Sequence, residues 1–168
     1  MIRKQMMAVA LGAGLLASPV RAADCPAALV CASNPPGIVA SLQAQGYKAV
    51  LGKSENTGNP KISSAASGYD YTIFFYGCEK GANCTSLGFS ITFADDGGNS
   101  ADLANEWNAD KRFSAMSFDK SDKSLMLTYD VSTIGGLNQV NFADVVDWWQ
   151  TMLGQARTFF NAHPAPKK

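Results

Sequence analysis

Few side chains in this 168-residue chain have the types and spacing to do chemistry. Nucleophilic catalysis needs a nucleophile, a base and a group that orients the base. The sole imidazole is His163, in the proline-rich ending His163-Pro-Ala-Pro-Lys-Lys168, which reads as a solvated, disordered tail over residues 163–168. Asp95-Asp96 is the one adjacent carboxylate pair, and with Glu106 it could serve acid–base hydrolysis. The pair sits in a Gly-rich turn, where aspartates ordinarily make turns and caps. The run DDGGNSAD has oxygens for calcium but neither the alternating spacing nor the closing Glu of a calcium loop. No glycine stretch fits a P-loop or a GxGxxG fingerprint. Cys25 and Cys31 flank five residues, as do Cys78 and Cys84, a gap wider than zinc or CxxC redox motifs use. The expectation is no catalytic residue, no metal and no cofactor.

The cysteines instead point to disulfides, and the chain's start supplies the compartment. Arg3 and Lys4 precede an apolar run from Met6 to Ala17, and Val20-Arg21-Ala22 offers small residues at a cleavage site. Residues 1–22 therefore read as a signal peptide, too short in its apolar part to span a bilayer. Asp24 before Cys25 argues against a lipid anchor, and the mature chain is expected to begin at Ala23. The leader removes three of 14 basic residues and no acid, which leaves 11 against 14, or −3. That surface suits neither nucleic acid nor anionic membrane. The expected location is the periplasm, or outside the cell, with no membrane span after cleavage. Four cysteines allow three pairings. Cys25–Cys31 and Cys78–Cys84 are favoured because each closes a short turn-rich loop; a staple from the N-terminal arm to the second cysteine pair is the rival.

The elements that would position these groups can be read from periodicity. Residues 23–33 form a cysteine-containing arm. Asn34 caps a short helix over Ile38–Gln45 that stops at Gly46. Tyr47–Gly52 alternates as a strand, and Lys61–Ser67 is a weaker strand of small residues, placed at an edge. Tyr69–Phe93 is the centre of the fold, two strands joined through Cys78 and Cys84. Tyr71, Ile73 and Phe75 alternate on one face, answered by Leu87, Phe89, Ile91 and Phe93. Thr72, Phe74 and Tyr76 make the first strand apolar on its other face too, which predicts a central place in its sheet. Asn99 or Ser100 caps a second helix, followed by strands over Phe113–Phe118 and Ser124–Val131. The order is α-β-β-β-β-α-β-β-α, an α+β domain with an antiparallel sheet of about five to six strands flanked by helices.

The last helix, Asn141 to about Asn161 with Asn141 as its expected cap, is the strongest. Phe142, Val146, Trp149, Leu153, Ala156 and Phe160 form one stripe, and Val145, Trp148, Met152 and Phe159 a second about 90° away. The second stripe is either covered by another helix or offered as a binding surface anchored by Trp148, for a protein partner or for self-association.

One polar cluster remains: Asn105, Glu106, Trp107, Asn108, Lys111, Arg112 and Phe113. Trp107 is expected to pack inward, Asn108 to cap the helix end, and the basic pair to face the negative end of its dipole. With NPPGIVASLQAQGYKAVL, SGYDYTIFFYGC and CTSLGF, the stretch NEWNADKRF carries a resemblance to the YbjN-type domain proteins of bacteria over residues 34–162. Its most specific piece is Asn105, Trp107 and Asn108 followed by Arg112-Phe113. The resemblance implies a fold similar to type III secretion chaperones, a twisted antiparallel sheet flanked by helices that binds other polypeptides, and a regulatory, non-enzymatic role.

Overall fold

The computed structural model describes residues 25–166, so the signal peptide and the expected start at Ala23 lie outside the described residues. Asn34 starts the first helix, α1 (Pro35–Ala44), by accepting a hydrogen bond from Gly37 N, with prolines where the first turn has no need of their N–H. Gly46, at φ +86°, reverses the chain after the helix, a conformation glycine adopts without cost. Four strands follow: β2 (Ala49–Lys53), β3 (Pro60–Ala66), β4 (Tyr69–Tyr76) and β5 (Ser86–Phe93). They come after a two-residue strand, β1 (Leu29–Val30), in the N-terminal arm. Helix α2 (Ala101–Asp110) is capped by Ser100, and Asn99 instead ties the turn by donating to Phe93, Ala94 and Lys123 carbonyls. Strands β6 (Ala115–Phe118), β7 (Leu125–Ser132) and the short β8 (Leu137–Asn138) lead into α3 (Gln139–Ala162), capped by Asn138 rather than Asn141.

Six strands form one antiparallel sheet in the order β2-β3-β4-β5-β7-β6, which places the β4–β5 hairpin at its centre. The disulfides are Cys25–Cys31 and Cys78–Cys84, the second clasping the tip of that hairpin. The strand of small residues, β3, is interior rather than at an edge, because β2 pairs along five of its residues on the outside. All three helices bury their apolar residues against one face of the sheet, where Tyr71, Ile73, Phe75, Leu87 and Phe89 lie. Trp149 is the hub, its ring 5.6 Å from Tyr71 and 5.7 Å from Phe89. β4 is central as expected, and its other face is open: Tyr76 is exposed, laid over Gly88, and Phe74 and Thr72 are half-buried. The helices form a single layer, so hydroxyl and aromatic side chains on the back of the sheet meet solvent, as antiparallel sheets allow.

The arm over residues 25–33 belongs to the same body. β1 pairs with β8, and Val30 and Ala32 are buried in the common core. Thr133 fastens it: its hydroxyl accepts from Ala32 N at 2.9 Å and donates to Thr85 O at 3.1 Å.

Candidate functional site

Helix α2 ends one turn after Trp107, and the chain turns sharply into β6. Trp107 is fully buried, donates to Ser114 Oγ at 3.3 Å, and packs edge-on against Phe159 at 5.4 Å. Asn108 does not cap the helix. Its side chain accepts from Met116 N and donates to Met116 O, both at 2.8 Å, standing in for a neighbouring strand on the outer edge of β6. Lys111 ends the helix, its N–H bonded to Trp107 O and its ammonium paired with Asp110. Asn105 is exposed and makes no side-chain hydrogen bond among the described residues.

Phe113 adopts φ +71°, a left-handed conformation that costs a bulky aromatic residue of order 1–3 kcal/mol. That backbone turns its ring outward, 49 % exposed, onto Trp148 of α3, with ring centroids 4.6 Å apart. The Arg112 guanidinium lies 4.9 Å from the Phe113 centroid on a cation–π contact. The three side chains make an exposed stack from two elements.

The second stripe of α3 is largely covered. Met152 and Phe159 are buried, Val145 is half-buried against the core, and of the four only Trp148 stays exposed. Helix α2 covers the Phe159 end of the stripe, where Trp107 packs edge-on. Where α2 stops short, an open groove runs between the two helices. One end, about 260 Å³, has Trp148, Phe113 and Met152 in its walls. The other, about 560 Å³, has Phe159, Glu106 and His163, with Gly154 leaving room along α3. Asp110, Lys111, Thr151 and Gln155 line both ends.

His163 is anchored rather than in a free tail. Its Nδ1 lies 2.9 Å from Phe159 O and its Nε2 2.9 Å from Glu106 Oε1. The remaining candidates for chemistry have structural partners. Asp95 accepts from Gly97 N and Asp96 from Gly98 N, both in the turn before α2. Among the described residues, no three His, Cys, Asp or Glu side chains gather as metal ligands would.

A family model described as "Putative bacterial sensory transduction regulator" matches residues 37–162. The chain belongs to the YbjN family. The crystal structure of YbjN, a "putative transcription regulator" from E. coli, is similar at TM-score 0.60 and 16 % identity, over 80 % of this chain and 95 % of that one. A structure titled as an uncharacterized protein from Methanothermobacter thermautotrophicus is similar at TM-score 0.54 and 12 % identity, over 79 % of this chain and 99 % of that one. At such identities the likeness speaks for the fold alone. No curated protein matches the chain in sequence. Within the YbjN domain, Trp107 and Asn108 therefore hold α2 on the body, and Arg112 and Phe113 present a surface. Sequence reasoning missed the strand-edge role of Asn108 and the outward turn of Phe113. The abrupt change from helix to strand pattern at Arg112-Phe113 was the available signal.

Proposed function

We propose that this YbjN-family protein is an exported, non-enzymatic binding module that grips a polypeptide at the Arg112–Phe113–Trp148 stack and along the groove beside it. The carrying observation is Phe113, held at φ +71° and exposed on an exposed tryptophan. Aromatic and arginine side chains at the head of a groove with mixed polar and apolar walls are the usual anchors of protein interfaces. The family's description as a regulator supports a protein-binding role. Both disulfides support an oxidising compartment, and the mild acidity of the mature chain argues for action through protein contacts rather than on nucleic acid. Carboxylate hydrolysis has less support, since Asp95 and Asp96 serve turns and Glu106 pairs with His163.

Crosslinked pull-down from periplasmic extract, with the oxidised domain as bait, tests the reading. One dominant protein should be captured by the native chain and by Val140→Asp, a change at a 77 % exposed residue outside the groove. Trp148→Asp should lose it while keeping the native circular dichroism. Capture unaffected by Trp148→Asp, or unfolding of that variant, would overturn the proposed surface.

A further inference from the structure

The two edges of the six-stranded sheet are treated differently. On the β6 side, Asp119 N donates to Ser124 O at 3.0 Å, which fixes the alternation of the β6–β7 ladder and turns the N–H and C=O of Met116 outward. Asn108 closes both of those groups. This is how a sheet edge is blocked against a further strand.

The β2 edge is open, and three observations fix which of its groups face out. Gln43 Nε2 donates to Ala49 O at 3.1 Å from the side of α1. Lys53 lies opposite Pro60, which has no N–H and so cannot complete a hydrogen-bonded pair. Ser54 N donates to Asn59 O at 2.8 Å, so the pair beyond it faces inward. By alternation, Val50 and Gly52 bond to β3, and Ala49, Leu51 and Lys53 present their backbone groups to the outside. The two side chains at the middle are apolar and open, Val50 at 55 % and Leu51 at 42 % exposure.

We propose that two copies of this chain join edge to edge through β2, antiparallel about a two-fold axis at Leu51, into a continuous twelve-stranded sheet. In that register Leu51 pairs with the second copy's Leu51, and Ala49 with its Lys53. Leu51 and Lys53 offer uncapped outward groups. Ala49 is buried with the Gln43 amide on its carbonyl, so its pairing with Lys53 requires that amide to swing aside, while Ala49 O keeps a second lone pair. Val50 lies opposite Gly52 and Lys48 opposite Ser54, so no like charges are opposed. A one-residue shift puts Lys48 against Lys53 and mismatches the bonding groups. A two-fold at Val50 would need the Tyr47 N–H, which already donates to Leu42 O at 3.0 Å. Lysine repulsion thus disfavours the one-residue shift, and the occupied Tyr47 N–H disfavours the two-fold at Val50. The β2 edge is a different surface from the groove of the proposed function, so either reading can fail alone.

Sedimentation equilibrium of the mature oxidised chain, up to about 1 mM, should show a reversible dimer, unchanged in Trp148→Asp. Leu51→Pro removes an outward N–H and no inward bond, a tolerated place for proline in an edge strand. It should weaken dimerisation by at least about tenfold with the fold retained. Leu51→Cys should form a 51–51 disulfide, because paired residues stand about 5.5 Å apart. Val50→Cys should not, its two copies being out of register and beyond the ~7 Å limit for a disulfide. A monomer throughout, a dimer untouched by Leu51→Pro, or Val50→Cys linking as readily as Leu51→Cys would overturn the proposal. Should Leu51→Pro fail to fold, the cysteine pair still decides.

Discussion

Burial takes the Tyr71 hydroxyl out of water without giving it a hydrogen bond of ordinary geometry, and Ser64 Oγ and Trp149 Nε1 are buried in the same condition. Desolvation raises the Tyr71 phenol above its ordinary 10.0; the nearby Ser64 hydroxyl eases it slightly and Tyr47 adds to it. The folded state therefore holds this proton to higher pH than the unfolded chain does. The associated stability is whole below pH 10 and is lost as pH rises through the folded value. Tyr71→Phe removes a buried hydroxyl that gains little, so at neutral pH it should change stability by less than about 1 kcal/mol, or raise it. Above pH 10 it should flatten the alkaline loss seen in the native protein, measured by denaturant midpoints at a series of pH values. Tyr47, Tyr76 and Tyr129 are also raised by desolvation, but solvent reaches them and screens their share. A loss of several kcal/mol in Tyr71→Phe at neutral pH would show that the hydroxyl is bonded after all.

Among elements, Asn108 joins a helix to a strand edge, whereas Asn105, one turn earlier, has no side-chain hydrogen bond among the described residues. Asn108→Ala leaves Met116 N and O to water at a half-buried site, with an expected cost of about 1–2 kcal/mol. Asn105→Ala should cost under about 0.5 kcal/mol. Urea unfolding with an unchanged slope checks this, and equal effects at the two positions would refute the clamp. The pair also shows how much was legible. Periodicity placed all three helices and the β4–β5 hairpin, since Tyr71, Ile73 and Phe75 can share a face only in an extended strand. Asn34, Ser100 and Gly46 marked helix ends through local chemistry. The role of Asn108 depends on β6, eight residues on in the chain, and no local rule carries it. The rank of β3 was misread for the same reason, since neighbours in a sheet are chosen by tertiary packing. Met152 and Phe159, read as part of a candidate binding surface with Trp148, are buried, because tertiary packing rather than helix periodicity decides which residues of the stripe are covered. The candidate site was thus legible as a motif over Asn105–Phe113, without its shape.

Across the described residues, one layer of helices serves one face of the sheet, and the buried apolar residues other than Cys31 belong to one core. The arm over residues 25–33, separate by composition, contributes Val30 and Ala32 to it and is locked through Thr133 to Thr85. Cys25–Cys31 closes a loop wholly within the arm and does not tie it to the body, so attachment rests on packing and these hydrogen bonds. An arm held in this way cannot leave without exposing core surface and unpairing β8 at the start of α3. The oxidised protein should therefore unfold in a single transition. Midpoints followed by tryptophan near-ultraviolet signal, which reports Trp107 and Trp149 in the core, and by far-ultraviolet dichroism should coincide. The Ala32 amide should exchange with solvent at the same free energy as those of β4 and β5. Exchange at Ala32 well ahead of the central hairpin would mean that the arm is a separate unit docked on the domain. Coincidence would make it part of the domain, with Thr133 as the residue that decides its attachment.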